Sequence, residues 1–97
     1  IPQPDLQYVV RTDVGDFVAR VDFYWEEWEL AGEFDGMGKY KLTSGQSGEI
    51  VAQEKLREDA VRDTGRDMIR WVWSDLRRFE AVKERFDRAC ARAGRRT

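Results

Sequence analysis

The chain has 97 residues, of which 41% are hydrophobic and 37% charged, a mixture that is typical of one folded domain. It contains no histidine and one cysteine, so a Ser–His–Asp or Cys–His triad, a histidine-ligated zinc site and an internal disulfide are all excluded. The net charge of −2 argues against a dedicated DNA-binding module, which usually carries an excess of basic residues.

Three consecutive strands are predicted in the N-terminal part of the chain. β-Branched and aromatic residues are concentrated in residues 6–11, 17–25 and 28–35. Gly15 lies in the first turn, where a residue with positive φ is often required. Glu26 and Glu27 form the predicted second turn. Three strands that are joined by short turns make an antiparallel meander.

The rest of the chain is predicted to contain a loop, two helices and a fourth strand. Residues 41–48 are rich in Ser, Thr and Gly and predict a mobile loop. Apolar residues at four-residue spacing predict a helix over residues 50–64. A strand follows at residues 67–73, and Ser74 is the expected N-cap of a last helix that runs to about residue 93.

The resulting order is β-β-β-α-β-α, which predicts an α/β domain with a mixed four-stranded sheet flanked by helices. The tryptophans of the fourth strand, Trp71 and Trp73, are expected to pack in the core and not to stack on nucleic-acid bases. The last helix should bury one apolar stripe of Leu76, Phe79, Val82, Phe86, Cys90 and Ala93. The predicted core residues are Phe23, Phe34, Leu56, Ile69, Trp71, Leu76, Phe79 and Phe86.

The location of the protein is also constrained by the sequence. No apolar run approaches the roughly 20 residues that a transmembrane helix needs, so we expect no membrane partner. No signal peptide is recognisable, and the single cysteine suits a reducing compartment, which together favour the cytoplasm. Because the sequence starts at Ile1 and not at methionine, we expect residues 1–97 to be the C-terminal part of a longer chain.

An acidic cluster is the first candidate for chemistry. Side chains alternate across a strand, which predicts that Asp22 projects from the face of the second strand that also carries Arg20 and Tyr24. Glu33 and Asp35 share one face of the third strand, so the three carboxylates are expected to lie together. A hard divalent ion such as Mg²⁺ would relieve their repulsion. The alternative is an ordinary solvated face, in which Arg20 pairs with one of the carboxylates.

Four segments carry a resemblance to a known family. In chain order they are VDFYW, GEFDG, EKLREDAVRD and IRWVWSDL. Together they resemble small bacterial domains related to the very-short-patch-repair endonucleases, which belong to the PD-(D/E)xK or restriction-endonuclease-like superfamily. The resemblance covers about residues 6–76 and implies that fold and a Mg²⁺- or Mn²⁺-dependent nuclease. Such a domain often follows a winged-helix domain of the abortive-infection antitoxin kind, which implies an upstream domain of that type.

The resemblance assigns roles to the acidic residues. Asp22 corresponds to the conserved Asp of the superfamily motif, and Glu33 to the acidic residue of its (D/E)xK element. Asp35 stands where the superfamily has the lysine that positions or activates the attacking water, a substitution usual in this family. Lys39, after the glycines, or Lys55, on the following helix, could supply the amine instead. The alternative for both lysines is an ordinary surface position.

Several charged residues are candidates for contacts with DNA. Glu54, Arg57 and Asp59 match the family's helix segment and could reach the acidic face as ligands or phosphate clamps. The alternative is ion pairing within the helix among Glu54, Arg57, Glu58 and Arg62. Arg70 could join the acidic cluster or contact a phosphate. The basic last helix adds Arg88 and Arg92, for which a solvated helix end is the alternative.

Two functions follow from these observations. The first is a metal-dependent endonuclease domain, in which water activated at Asp22 and Glu33 attacks a phosphodiester. The second is a catalytically inactive member of the same fold that serves as a module of a transcriptional regulator or a toxin–antitoxin protein. The displaced lysine and the negative net charge favour the second, and the retained carboxylates favour the first.

Overall fold

The computed structural model describes residues 1–35 and 44–96, with side chains throughout except at residues 44–47, 50 and 96. The strands are β1 Asp5–Arg11, β2 Phe17–Trp25, β3 Leu30–Phe34 and β4 Asp67–Trp71. The helices are α1 Ser44–Asp63, α2 Trp73–Leu76 and α3 Phe79–Arg96, and a 3₁₀ turn covers Glu26–Trp28. None of the helices in the described ranges has both the length and the hydrophobicity needed to cross a bilayer.

The four strands form one sheet in the order β1-β2-β3-β4. The first three are antiparallel neighbours, and β4 lies parallel to β3 with Leu30 opposite Asp67 and Phe34 opposite Trp71. Parallel neighbours need a crossover, which α1 provides. The prediction of an α/β domain with a mixed four-stranded sheet is therefore confirmed.

Within residues 1–35 and 44–96, the buried apolar side chains form two clusters. Val61 of α1 belongs to the first, and Phe86 and Ala89 of α3 belong to the second. The first cluster consists of Val10, Ala19, Val21, Tyr24, Ala31, Val61 and Met68. The second consists of Trp25, Leu30, Ile69, Phe86 and Ala89. A β-carbon at Gly32 would lie 2.9 Å from the Trp25 ring and 3.1 Å from the Trp71 ring, so the absence of a side chain there lets both rings cover β3.

Strict alternation along β2 does not hold, which corrects the predicted grouping of its side chains. Val21 packs in the first cluster together with Tyr24, whereas Phe23 packs against the second. The neighbouring strand carries a matching irregularity, because Gln7 of β1 has a positive φ of 52°. The ladder between β2 and β3 begins only at Phe23, so the strands are not paired at Asp22.

Several predicted core positions are wrong. The side chains of Leu56, Leu76 and Phe79 are 68%, 40% and 53% exposed. Ile69 and Phe86 are buried as predicted, whereas the remaining three, Phe23, Phe34 and Trp71, are only partly buried. The wrong positions lie on α1 or at the start of the last helical region, where the predicted helix boundaries also differ from the structure. Trp73, expected in the core, is 56% exposed.

The boundaries of both predicted helices differ from those in the structure. The predicted last helix is two helices, α2 and α3, which residues 77 and 78 separate. Ser74 is not the N-cap: the N-cap is Val72, two residues earlier, and its N–H donates to the Asp75 carboxylate at 2.9 Å. Helix α1 starts at Ser44 and not at residue 50, so the predicted loop is wrong for residues 44–48, and its residues 41–43 lie outside the described ranges.

Candidate functional site

The point where β2 separates from β3 forms the centre of the candidate site. Asp22 and Glu33 occupy this point, one on each strand. The Asp22 N–H donates to Glu33 Oε2 at 3.3 Å, and the Phe34 N–H donates to Asp22 Oδ2 at 3.0 Å. The two carboxylates therefore accept backbone N–H groups beyond the end of the ladder.

Glu33 is buried in this arrangement, with 6% of its surface exposed. Burial raises the pKa of Glu33, and the neighbouring Asp22 carboxylate raises it further, while Arg57 opposes both effects. Arg57 reaches down from α1 to form an ion pair with Glu33, and it also donates to the main-chain carbonyl of Arg20. A shared arginine thus holds α1, β2 and β3 together at the carboxylate pair.

Asp35 lies in a second group of charges next to this pair. Arg70 of β4 donates to both carboxylate oxygens of Asp35, at 3.2 and 3.3 Å. The same guanidinium contacts Glu54 at 3.2 Å and Glu58 at 2.9 Å, both on α1. The structure therefore divides the predicted triad in two. Asp22 and Glu33 form one pair, in which Arg57 binds Glu33, and Asp35 belongs to a separate network around Arg70.

Of the two candidate lysines, Lys55 is among the residues that the structure describes. Lys39 lies outside the described residues. Lys55 is on α1 with its side chain 71% exposed, and its amine pairs with Asp59 at 3.1 Å. Lys55 is therefore an ordinary surface lysine, as the alternative predicted. Lys55 and Asp59 pair with each other along the helix, and neither contacts Glu33.

The candidate arginines of α3 lie apart from the acidic pair. Arg88 is 63% exposed and approaches Glu84 at 3.9 Å. Arg92 donates to Asp67 Oδ2 at 2.7 Å, and Arg62 of α1 reaches Asp67 Oδ1 at 2.6 Å. Arg92 therefore joins α3 to the first residue of β4.

Sequence reasoning gave no role to Asp67, which is 4% exposed. Burial opposes its ionisation, yet hydrogen bonds from Arg92, the Met68 N–H and Arg62 together hold the pKa of Asp67 below its ordinary value. The alternation of apolar and polar residues along β4 does not indicate that its first residue, Asp67, is a buried carboxylate paired with arginines. A basic residue one helical turn before the strand, here Arg62, is the only local signal.

Whether these residues suit a divalent ion depends on the donors that they offer. Within residues 1–35 and 44–96, no group of three or more carboxylates or cysteines is arranged to hold a metal ion. Mg²⁺ is commonly held by one or two carboxylates, with water and substrate phosphate completing its shell. The neighbouring carboxylates of Asp22 and Glu33 have that donor chemistry, provided that the ion pair between Arg57 and Glu33 is broken.

Comparison of this chain with protein-family models, with characterised proteins and with solved structures gave no significant match. The chemistry of the acidic pair is therefore the basis for assigning a function.

Proposed function

We propose that this chain is a nuclease-type domain of the PD-(D/E)xK kind that hydrolyses DNA phosphodiester bonds, with Asp22 and Glu33 as its metal-holding pair. The observation that carries the proposal is the buried Glu33 carboxylate where β2 leaves β3, which accepts the Asp22 N–H and whose pKa is raised by burial and by the neighbouring Asp22 carboxylate. Their position corresponds to the Asp and acidic residue of the motif that the sequence resembles.

A buried carboxylate beside a second carboxylate is costly, and such pairs are concentrated at functional sites. The raised pKa of Glu33 reflects this cost, since it persists although Arg57 is bound. A divalent ion would offset the repulsion, and when bound it would lower the pKa of a water and stabilise charge on a phosphate. In that state Arg57 would be free to contact a phosphate oxygen, a role for which its planar guanidinium is suited.

The second candidate is a catalytically inactive module of a transcriptional regulator or a toxin–antitoxin protein, placed behind a winged-helix domain. A specific observation favours it. Arg57 and Arg70 already neutralise Glu33 and Asp35, and Asp35 occupies the position of the motif lysine. The arginines would then be permanent structural partners and not groups that make way for a metal.

Titration with Mn²⁺ separates the two functions. We expect millimolar Mn²⁺ to raise the melting temperature of the wild type, because an ion that binds only the folded state stabilises it by mass action. Asp22→Asn and Glu33→Gln should abolish this rise and also abolish Mn²⁺-dependent cleavage of DNA. Asp59→Asn is the matched control: it removes an exposed carboxylate of α1 that pairs with Lys55, and it should retain the response.

The inactive module predicts a different pattern. A flat calorimetric titration, together with lower stability of both Asp22→Asn and Glu33→Gln, would overturn the nuclease proposal. The two carboxylates would then serve only as structural groups that accept main-chain N–H groups and pair with Arg57.

A further inference from the structure

The segment that joins β4 to α3 exposes large apolar side chains. Trp73, Leu76 and Phe79 are 56%, 40% and 53% exposed. We name residues 73–79 the α2 ridge. Isolated exposed apolar residues need no explanation, but three large ones within seven positions mark a candidate binding surface.

The ridge also carries two arginines without a partner. Within the described part of the chain, neither Arg77 nor Arg78 makes an ion pair or a side-chain hydrogen bond, and both are exposed. The nearest carboxylate in sequence, Asp75, is occupied by both guanidinium nitrogens of Arg85, at 3.0 and 3.2 Å. Glu80 is the one exposed acid directly beyond the ridge.

The tryptophan of the ridge is held in place although it is exposed. The Trp73 ring meets the Phe34 ring at right angles, with centroids 4.9 Å apart and an interplanar angle of 87°. An aromatic side chain that is already oriented loses little entropy when a ligand stacks on it. Trp73 is therefore suited to stack against a flat ring.

The ridge lies at the same end of β3 as the acidic pair, on the other face of the sheet. Phe34 follows Glu33 in β3, and its N–H donates to Asp22. Successive side chains of a strand project to opposite faces, so the Phe34 ring contacts Trp73 whereas Glu33 pairs with Arg57 of α1.

We propose that the α2 ridge binds single-stranded DNA, with a base stacked on Trp73 and phosphates contacted by Arg77 and Arg78. The inference rests on the proposed action on DNA and specifies its substrate as an unpaired strand. Exposed aromatic rings bind single strands because unpaired bases offer their faces, which a duplex buries in its own stack. The two unpaired arginines supply the positive charge that the chain as a whole lacks.

Fluorescence anisotropy with a labelled twelve-nucleotide thymidine strand tests this proposal. The titration is made in EDTA, so that binding is measured without metal or cleavage. Trp73→Ala should weaken binding by about 5- to 150-fold, the range expected for loss of one stacked base. Trp73→Phe should restore much of the affinity, because a ring face is retained.

The contribution of the two arginines is measured by the salt dependence of binding. Replacing Arg77 and Arg78 by Ser should reduce the slope of log Kd against log salt by about 1.4, since each phosphate contact on a single strand contributes about 0.7. Arg95→Ser is the control, because Arg95 is likewise exposed and lies at the far end of α3. Circular dichroism of each variant tests whether its fold is retained.

The outcomes are distinct. Equal affinity of wild type and Trp73→Ala, or equal binding of the strand and its duplex, would overturn the inference. Binding that needs Trp73 but no cleavage with Mn²⁺ would uphold the ridge as a DNA site and overturn the nuclease proposal instead.

Discussion

Glu33 and Asp67 are both buried carboxylates held by arginine, yet their environments act in opposite directions. Asp67 receives guanidinium groups from two helices and a main-chain N–H, and its pKa is lowered. Glu33 has one arginine, and its pKa is raised by burial and by the neighbouring Asp22 carboxylate. The ionised form of Asp67 therefore stabilises the fold, whereas the ionised form of Glu33 costs stability.

Glu33→Gln should expose this difference in the pH dependence of stability. The native state holds the Glu33 proton to higher pH than the unfolded chain, whose carboxyl ionises near about 4.3. The stabilising contribution of Glu33 is thus complete below the unfolded pKa and is lost as pH rises through the native pKa. We expect the free energy of unfolding of the wild type, relative to Glu33→Gln, to fall as pH increases from 4 towards neutrality.

Urea titrations of both proteins at several pH values measure the effect. The lowered pKa values of Asp67 and Glu58 act in the opposite direction, but they are common to both proteins and cancel in the comparison. A difference that stays constant with pH, or that rises with it, would contradict the raised pKa.

The sequence predicted part of this site and missed the rest. Period-two alternation correctly relates Glu33 to Asp35, which both meet arginines, but it cannot show that the two carboxylates bind different arginines. The break in the alternation of β2 was also missed, because Gln7 of the neighbouring β1 has a positive φ and glutamine is not a residue type that favours one. Arg57 and Arg70 were both candidates for the acidic face, but which carboxylate each one binds depends on how α1 crosses the sheet, which no local pattern specifies.

Helix α3 is the element whose sequence was most informative. Its buried residues Val82, Phe86, Ala89 and Ala93 recur at helical spacing and follow the predicted stripe closely. The prediction failed upstream of Val82, where Leu76 and Phe79 were placed on the same stripe. Residues 77 and 78 interrupt the helix, so the angular relation between Leu76 and the later residues is lost.

A pair of truncations tests this boundary. Phe86→Ala should lower the free energy of unfolding by about 3–5 kcal/mol, because it empties space in the cluster that contains Trp25 and Leu30. Phe79→Ala should cost less than about 1 kcal/mol, since that ring is more than half exposed. Chemical denaturation of both variants provides the comparison, and a larger loss for Phe79→Ala would show that its ring is covered.

The two layers that cover the sheet are held by different forces. Helix α3 is anchored by four buried side chains, whereas Val61 is the only buried side chain among those described on α1. Ion pairs add to the α1 attachment: Arg57 with Glu33, Arg62 with Asp67, and Arg70 with Glu54 and Glu58. The domain therefore has one apolar and one largely electrostatic interface.

Salt should act on these interfaces unequally. At 1 M ionic strength the screening length is about 3 Å, so the partly exposed pairs of Arg70 weaken while apolar burial does not. We expect amide exchange in α1 to accelerate about fivefold relative to α3 between 0.05 and 1 M NaCl, which corresponds to about 1 kcal/mol. Hydrogen exchange read by mass spectrometry resolves the two helices, and equal changes in both would contradict the asymmetry.

The parallel pairing of β3 with β4 also sets an order of events during synthesis and folding. The β1–β2–β3 meander joins neighbours in sequence and closes short loops, whereas β4 must wait for α1. Asp22 and Glu33 belong to the meander, but Arg57, which pairs with Glu33, follows it in the chain. A nascent chain that has left the ribosome only as far as β3 thus carries its acidic pair without this arginine. Neutralisation of Glu33 is consequently a late step, and it coincides with the arrival of the crossover helix.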